Sequence, residues 1–271
     1  MLTLVPTPIG NISDISLRAM DVLSNADVLL CEDTRVTKKL LHILNERYQV
    51  ERRDQEFISL HSHNEKAFIE KISAEFFDAN VVYVSDAGMP GISDPGQLLV
   101  RFCQDNSIEY DILPGANALL TAFVASGFVN TQMLFFGFLP HKGKERSQSL
   151  QGALHNGFTT VLYEAPHRLD KLMKELAVEV PDRRVFFAKE LTKKYQNYFH
   201  GLAKDISSQI PKETIKGEWV VVIEAGAARQ SVLSEKDVLD LDISKKAAAK
   251  LISKITGENT KACYTRLSKE D

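Results

Sequence analysis

Over residues 1–126 the chain alternates short β-like runs with helical patterns, and few folds accommodate that alternation. The strand runs are Leu2–Val5, Asp27–Cys31, Phe57–His61, Val81–Ser85 and Glu109–Leu113. The helical stretches are Asp14–Ser24, Thr34–Asn45, Asn64–Ala79, Pro95–Asn106 and Ala116–Ser126. Strands separated by helices form βαβ units, whose strands lie mostly parallel in one sheet covered by helices. Asp14–Ser24 carries the apolar stripe such a helix needs, with Ile15, Ala19, Val22 and Leu23 on one face.

The second half reads differently. Strand runs at Leu134–Phe138, Thr159–Tyr163, Arg184–Ala188, Gln196–His200 and Glu218–Glu224 are interrupted by helices at Lys144–Leu154, Arg168–Val178 and Leu202–Ile210. This predicts a second α/β layer with a mixed sheet. Pro114-Gly115 is the expected joint, because Pro fixes φ and Gly relaxes it. The expected division is therefore an α/β domain over 1–114, a second over 115–226 and a tail over 227–271. In the tail, 227–243 is acidic and loosely patterned. The stretch 244–271 is basic, with Lys245, Lys246, Lys250, Lys254, Lys261, Arg266 and Lys269 against Glu258, Glu270 and Asp271. A helix over Ser244–Ile255, apolar through Ala248, Leu251, Ile252 and Ile255, meets a second over Thr260–Leu267 at a Thr256-Gly257-Glu258-Asn259 turn. That pattern fits a helix-turn-helix or a capping helical hairpin equally.

Bulk properties narrow the function. The net charge of −3 gives no global nucleic-acid footprint, so nucleic acid would need a local basic face. Cys31, Cys103 and Cys263 are isolated, which argues against a disulfide framework or a zinc site and suits a reducing cytosol. The start Leu2-Thr3-Leu4-Val5, with Arg18 the first basic residue, does not read as a secretion signal. The most apolar stretch, Ala116 to Val129, is too short to span a bilayer. A cytoplasmic location away from membranes is expected.

The loop after Val81–Ser85 is the strongest ligand signal. Asp86–Gly96 holds three Gly, two Pro and two Asp, more special backbone positions than a plain connection needs. It lies beyond the carboxyl end of a strand, where open α/β sheets bind ligands. Asp94-Pro95 predicts a helix N-cap followed by Pro at the first helical position. Pro6–Asn11, Glu164–Arg168 and Lys189–Lys194 also follow strands. Each has a plain alternative: Pro166 can simply start a helix, and Lys193-Lys194 can be solvated surface. Their shared placement favours one cleft between the domains. Other chemistries fail on pattern. No GxGxxG follows a strand, Gly143-Lys144-Glu145 lacks the hydroxyl of a P-loop, and no GxSxG elbow occurs. His61-Ser62-His63 puts two imidazoles on one strand face but has no matching second pair, so no metal is expected.

Seven segments carry a specific resemblance. They are Leu4–Asp14, Cys31–Arg35, Asp86–Gly96, Leu113–Ala116, Gly137–Pro140, Tyr163–Leu169 and Glu190–Lys193. In this order, from about Leu2 to Gly226, the chain resembles the ribosomal RNA small subunit methyltransferase I family of the tetrapyrrole-methylase-like superfamily. The resemblance implies two α/β domains with S-adenosylmethionine between them. It also implies methylation of a cytidine ribose 2′-hydroxyl in the decoding region of 16S ribosomal RNA, by a cytoplasmic homodimer needing no metal. By motif position, the cofactor is expected at Pro8, Asp86, Ala87, Gly88, Ile92, Ser93, Pro114, Gly115 and Ala116. From the second domain it is expected at Tyr163, Glu164, Ala165, Thr192, Gly217 and Glu218. Met89 stands where the family usually has Thr, and Gln196 is neutral where an acid often lies near the Glu-Leu-Thr-Lys motif.

Candidate proton acceptors are Glu164, His167 and Glu190, with Lys189 beside them and Asp86 as an alternative. RNA phosphates are expected at Arg35, Lys142, Lys144, Arg146 and Arg168. Two readings compete: a tetrapyrrole carbon methyltransferase of the same fold, and a non-catalytic RNA-binding scaffold.

Overall fold

The strands of the first half form and pair in parallel. β1 (Leu2–Leu4), β2 (Val28–Cys31), β3 (Glu56–Ser59), β4 (Val81–Val84) and β5 (Tyr110–Ile112) take the order β3-β2-β4-β1-β5. The computed structural model describes residues 1–51, 53–129, 131–227 and 235–268. Helices α1 (Leu17–Asn25) and α2 (Thr34–Tyr48) cover one face, where Leu23, Leu41 and Leu44 meet Leu29, Cys31, Val82 and Val84. Helices α3 (Glu65–Ile69) and α4 (Gln97–Asp105) lie toward the other, where Leu99 and Cys103 meet Val28, Leu30, Val81 and Tyr83. Successive strand residues point to opposite faces, so a sheet buried on both sides needs the continuous apolar runs seen here.

Helix α5 (Ala118–Ser126) follows β5 but packs on the second sheet, against β7, β8 and β10. That sheet comprises β6 (Met133–Phe138), β7 (Thr159–Glu164), β8 (Arg184–Lys189), β9 (Asn197–Leu202) and β10 (Trp219–Ile223), ordered β6-β7-β10-β8-β9. β6 and β7 are parallel; the other pairs are antiparallel, giving the expected mixed sheet. Helices α6 (Gly143–Leu154), α7 (Pro166–Glu179) and α8 (Ile206–Gln209) cover the face opposite α5. Both sheets belong to one compact unit, Met1–Gly226.

The second unit, Ala227–Asp271, contains α9 (Glu235–Leu239), α10 (Lys245–Thr256) and α11 (Thr260–Leu267). Gly257 closes α10 in the left-handed conformation, and the Asn259 side chain caps α11. The core is Val238, Ala248, Ala249, Ile252, Cys263 and Leu267. Leu251 and Ile255, expected inside, are exposed, while Ala249 turns inward. Lys269, Glu270 and Asp271 lie outside the described residues. Among the described residues no helix is long and apolar enough to cross a membrane.

Three expected helices change. Asn64–Ala79 breaks into α3 and a 3-10 turn, Ala74–Asp78. In one continuous helix Phe68 and Phe76 would stand about 12 Å apart along the axis. The break brings their rings to 5.8 Å, in the cluster formed with Phe77 and α4. Leu202–Ile210 fails because β9 runs on to Leu202, whose ladder partner is Arg184; only Ile206–Gln209 is helical.

Finally, Asp94-Pro95 does not start a helix. The Gly96 N–H donates to the Glu65 carboxylate at 2.8 Å, Gly96 takes φ +129°, and α4 begins at Gln97. A Cβ on Gly96 would lie 3.2 Å from Leu4 and from Tyr83. Strain of this kind costs about 1–3 kcal/mol. Gly96→Ala is expected to lower stability by that amount, read as a lower urea midpoint.

Candidate active site

The loops singled out in the sequence converge because of strand direction. β1 and β4 are neighbours in the first sheet, so Pro6–Asn11 and Asp86–Gly96 leave it side by side. Thr7 and Gly88 join them through reciprocal backbone bonds, Thr7 N–H to Gly88 at 3.0 Å and Gly88 N–H to Thr7 at 2.9 Å. In the second sheet β10 runs antiparallel between β7 and β8. Its beginning, with the Gly217-Glu218 loop, therefore lies beside their carboxyl ends.

Between these groups is a cavity of about 390 Å³. The first-sheet wall is Ile9, Ala87, Gly88, Met89, Ile92, Ser93 and Asp94. Asn117 and Ala118 contribute from the start of α5. The second-sheet wall includes Phe138, Tyr163, Glu164, Ala165, Ala188, Leu191, Gly217, Glu218 and Val220. Ile9 also packs into the core between the second sheet and α5, with Val161, Val220 and Leu191.

Close backbone approach fixes the mouth. A Cβ on Gly10 would lie 2.7 Å from Thr192 Oγ1 and 3.0 Å from the Leu191 carbonyl, so only glycine fits there. The Asn11 N–H donates to Thr192 Oγ1 at 2.9 Å. Glu190 and Thr192 have φ of +49° and +63°, a region L-residues seldom adopt. The ion pairs of Lys193 with Glu190 at 3.1 Å and Glu218 at 2.8 Å, and the Glu218 N–H donated to Glu190 at 2.8 Å, hold this loop.

Of the expected cofactor positions, Ala87, Gly88, Ile92, Ser93, Tyr163, Glu164, Ala165, Gly217 and Glu218 line the cavity. Pro8, Asp86, Pro114, Gly115, Ala116 and Thr192 are not in its lining. Ile9 lines it instead of Pro8, and Asn117 and Ala118 instead of Pro114–Ala116. Gly115 serves packing, since a Cβ there would lie 2.7 Å from Pro6. Asp86 braces the neighbouring loop: its backbone N–H donates to Glu32 at 3.1 Å and its carboxylate accepts the Asp33 N–H at 3.0 Å.

The candidate proton acceptors separate on environment. Glu164 is fully enclosed, at 2.9 Å from Arg168 Nε and 3.4 Å from Arg146 Nη2. Burial opposes ionisation of Glu190, but the Glu218 N–H and Lys193 outweigh it and hold that carboxyl below its ordinary range. Glu190 is therefore held as an anion. His167 is exposed on the first turn of α7 and does not line the cavity. Asp94, read in the sequence as a cap, is a cavity acid whose pKa is pushed up to about 6, first by burial and then by Glu32 and Asp86. Its signal was present: an acid inside a glycine-rich loop, masked by the Asp-Pro pair that resembles a helix start.

The basic candidates also divide. Lys142 and Lys144 are exposed at the start of α6. Arg35 is exposed and pairs with Asp33 at 2.6 Å. Arg146 is a correction, being 1% exposed and enclosed. Its Nη2 lies 2.7 Å from Glu175, and Nη1 donates to the Pro140 carbonyl at 3.1 Å. Arg168 likewise turns inward, to Glu164 and the Leu139 and Pro140 carbonyls. A phosphate has no free face of Arg146 to meet. His61 and His63 leave the end of β3 rather than sharing a strand face, their rings edge to face at 5.9 Å.

Comparison with known proteins agrees with this architecture. The family model for tetrapyrrole (corrin/porphyrin) methylases matches residues 1–207. A Campylobacter fetus protein named ribosomal RNA small subunit methyltransferase I is 46% identical, covering 98% of this chain and 99% of its own. A Bacillus subtilis protein of the same name is 38% identical, over 94% of this chain and 85% of its own. Among solved structures, uroporphyrin-III C-methyl transferase from Thermus thermophilus, complexed with S-adenyl homocysteine, superposes with a TM-score of 0.54 at 16% identity. That match covers 82% of this chain and 96% of the other, and shows a shared fold.

The enclosed Arg146 yields a prediction. Truncation takes the buried guanidinium from between Glu164 and Glu175, leaving Arg168 and Lys171 as their remaining cations; breaking a buried pair in this way costs about 3–5 kcal/mol. Arg146→Ala is expected to lose that much in denaturant unfolding.

Proposed function

Since the chain belongs to the tetrapyrrole methylase family and, within it, to the ribosomal RNA small subunit methyltransferase I group, we propose that it transfers a methyl group from S-adenosylmethionine to small-subunit ribosomal RNA. The acceptor in this reading is a cytidine ribose 2′-hydroxyl of the decoding region, presented within the small ribosomal subunit to a homodimer in the cytoplasm. The similarity to the Campylobacter fetus protein along almost the whole of both chains carries the proposal.

The cavity's chemistry suits this donor. It falls in the usual range for small-molecule sites, roughly 300–1,000 Å³. Ile9, Met89, Ile92 and Leu191 offer apolar contact, and Ala87, Gly88 and Ala165 also border it. Glu218 places negative charge beside a ligand that is positive at its sulfonium and its amine. Met89 gives a thioether where the family usually has a hydroxyl, making this stretch of wall apolar. When bound, the donor supplies an electrophilic methyl carbon, so no covalent enzyme intermediate is needed. The residues then have to align the acceptor oxygen with that carbon, a contribution of roughly 7–11 kcal/mol in favourable cases.

The test is transfer of tritiated methyl from S-adenosylmethionine to small subunits lacking the modification, with the product mapped by mass spectrometry. One 2′-O-methylcytidine in the decoding region is the expected result. Label on a porphyrinoid and none on RNA would favour the tetrapyrrole reading. Absence of cofactor binding in calorimetry would favour the scaffold.

The exposed Lys142 and Lys144 are the remaining phosphate contacts of the α6 start. Each phosphate neutralised contributes about 0.7–0.9 to the slope of log K against log salt. Lys142→Ala with Lys144→Ala is expected to weaken RNA binding and flatten that slope by about 1.4–1.8 if each lysine meets one phosphate. Filter binding across a salt series measures both.

A further inference from the structure

Three carboxylates line the cavity, and their surroundings differ. Glu164 is held by Arg146 and Arg168, and Glu218 is largely exposed beside Lys193. Asp94 is half-buried, and among the described residues no cation pairs with it. The charges that act on it are Glu32 after β2 and Asp86 after β4, with the Ser85 hydroxyl as its hydrogen-bond partner. Across the cavity it faces Tyr163 of β7, whose own hydroxyl is pushed up to about 12 by burial and then by Asp94. Tyr83 is fully buried with its hydroxyl unpartnered, and burial first, then Glu32, Asp94, Glu65 and Asp86, push that hydroxyl up.

The loop carrying Asp94 is fixed on both sides. Gly88 is bonded to Thr7, Gln97 Nε2 donates to the Gly91 carbonyl at 2.7 Å, and Gly96 is anchored by Glu65. An acid held this way is pre-organised, as a group acting on a bound substrate must be. A ribose hydroxyl is a weak acid and loses its proton as its oxygen bonds to carbon. A general base suits that task best when its pKa lies near the working pH.

We infer that Asp94 is the proton acceptor for the hydroxyl that is methylated, an inference that rests on the RNA 2′-O-methylation proposed above. As the 2′-oxygen bonds to the methyl carbon, its O–H bond breaks and the proton passes to the Asp94 carboxylate. The carbon–sulfur bond of the donor breaks with its electron pair left on sulfur, giving a neutral thioether. Only ionised Asp94 can accept the proton, so the rate rises as pH climbs through about 6 and then levels. Folding has the opposite sign. A raised carboxyl pKa contributes stability that is present below the ordinary Asp value and lost as pH rises through about 6.

The experiment compares full-length wild type, Asp94→Asn and Asp94→Glu in three readouts: S-adenosylmethionine binding by calorimetry, pH-dependent kcat on unmodified small subunits, and Tm against pH. Asp94→Asn is expected to bind the cofactor within about threefold of wild type while kcat falls about 10²–10⁴-fold and the acid limb vanishes. Its Tm is expected to exceed that of wild type at about pH 8 but not at about pH 4. Asp94→Glu restores part of the rate with an acid limb. Full-rate turnover by Asp94→Asn, a retained acid limb, or a rate loss matched by lost cofactor binding would each overturn the inference alone. A wild type that binds the cofactor yet leaves RNA unlabelled overturns the RNA-methylation reading, and the inference with it.

Discussion

The antiparallel insertion of β10 between β7 and β8 determines where the cavity can form. In an all-parallel sheet the segment before a central strand would emerge at the opposite edge from the loops that follow its neighbours. Here Trp219 pairs with Glu164 on one side and Lys189 on the other. The Gly217-Glu218 loop is thereby placed level with Glu164-Ala165 and Glu190–Lys193. Three chain segments remote in sequence form one rim, and Lys193 stitches two of them together through Glu190 and Glu218.

The rim meets the first sheet through a wedge rather than a flat interface. Ile9 leaves β1's end and enters the apolar core between the second sheet and α5. Apolar burial of a side chain that size is worth about 1.5–3 kcal/mol, which is enough to hold the loop bearing it. Gly10 then lets the backbone pass within contact of Leu191–Lys193. The glycine-rich loop follows, because Gly88 is bonded to Thr7 on the same turn. Position of the first-sheet wall thus depends on core packing in the second sheet, and α5, which follows β5 yet covers that second sheet, fixes the connection between them.

Much of this was legible. Alternating strand and helix patterns identified the layers, since a sheet buried on both faces leaves runs such as Val28–Cys31 and Val81–Val84. Loops at strand ends pointed to the cleft because strand direction alone orders them. Illegible were features decided by long-range partners. Glu65 captures the Gly96 N–H from 31 positions away and shifts a helix start that Asp94-Pro95 marked locally. Arg146 looks like a surface cation in the run Lys142–Arg146, but Glu175 and Glu164 lie across its face of α6. Helix periodicity could have placed Arg146 with Leu150, Ala153 and Leu154 on the inward side. It could not have supplied the two carboxylates that make enclosure of a guanidinium tolerable.

Those carboxylates explain why the cavity's acids have unequal roles. A buried ion pair demands hydrogen bonds on every side before attraction offsets the lost hydration. Glu164 accepts hydrogen bonds from Arg146 and from the Ala165 N–H at 3.0 Å, lies in an ion pair with Arg168, and fixes the turn from β7 into α7. Glu190 meets that demand through Lys193 and a backbone donor, and stabilises a loop that contains two left-handed residues. Each is spent on holding the walls in place. Asp94 has only the Ser85 hydroxyl to offset its burial, and the first sheet concentrates Glu32 and Asp86 near it, so its carboxyl is pushed up to about 6. A wall built to be rigid therefore carries one carboxylate whose proton affinity has been left high, at the face where a ligand has to lie.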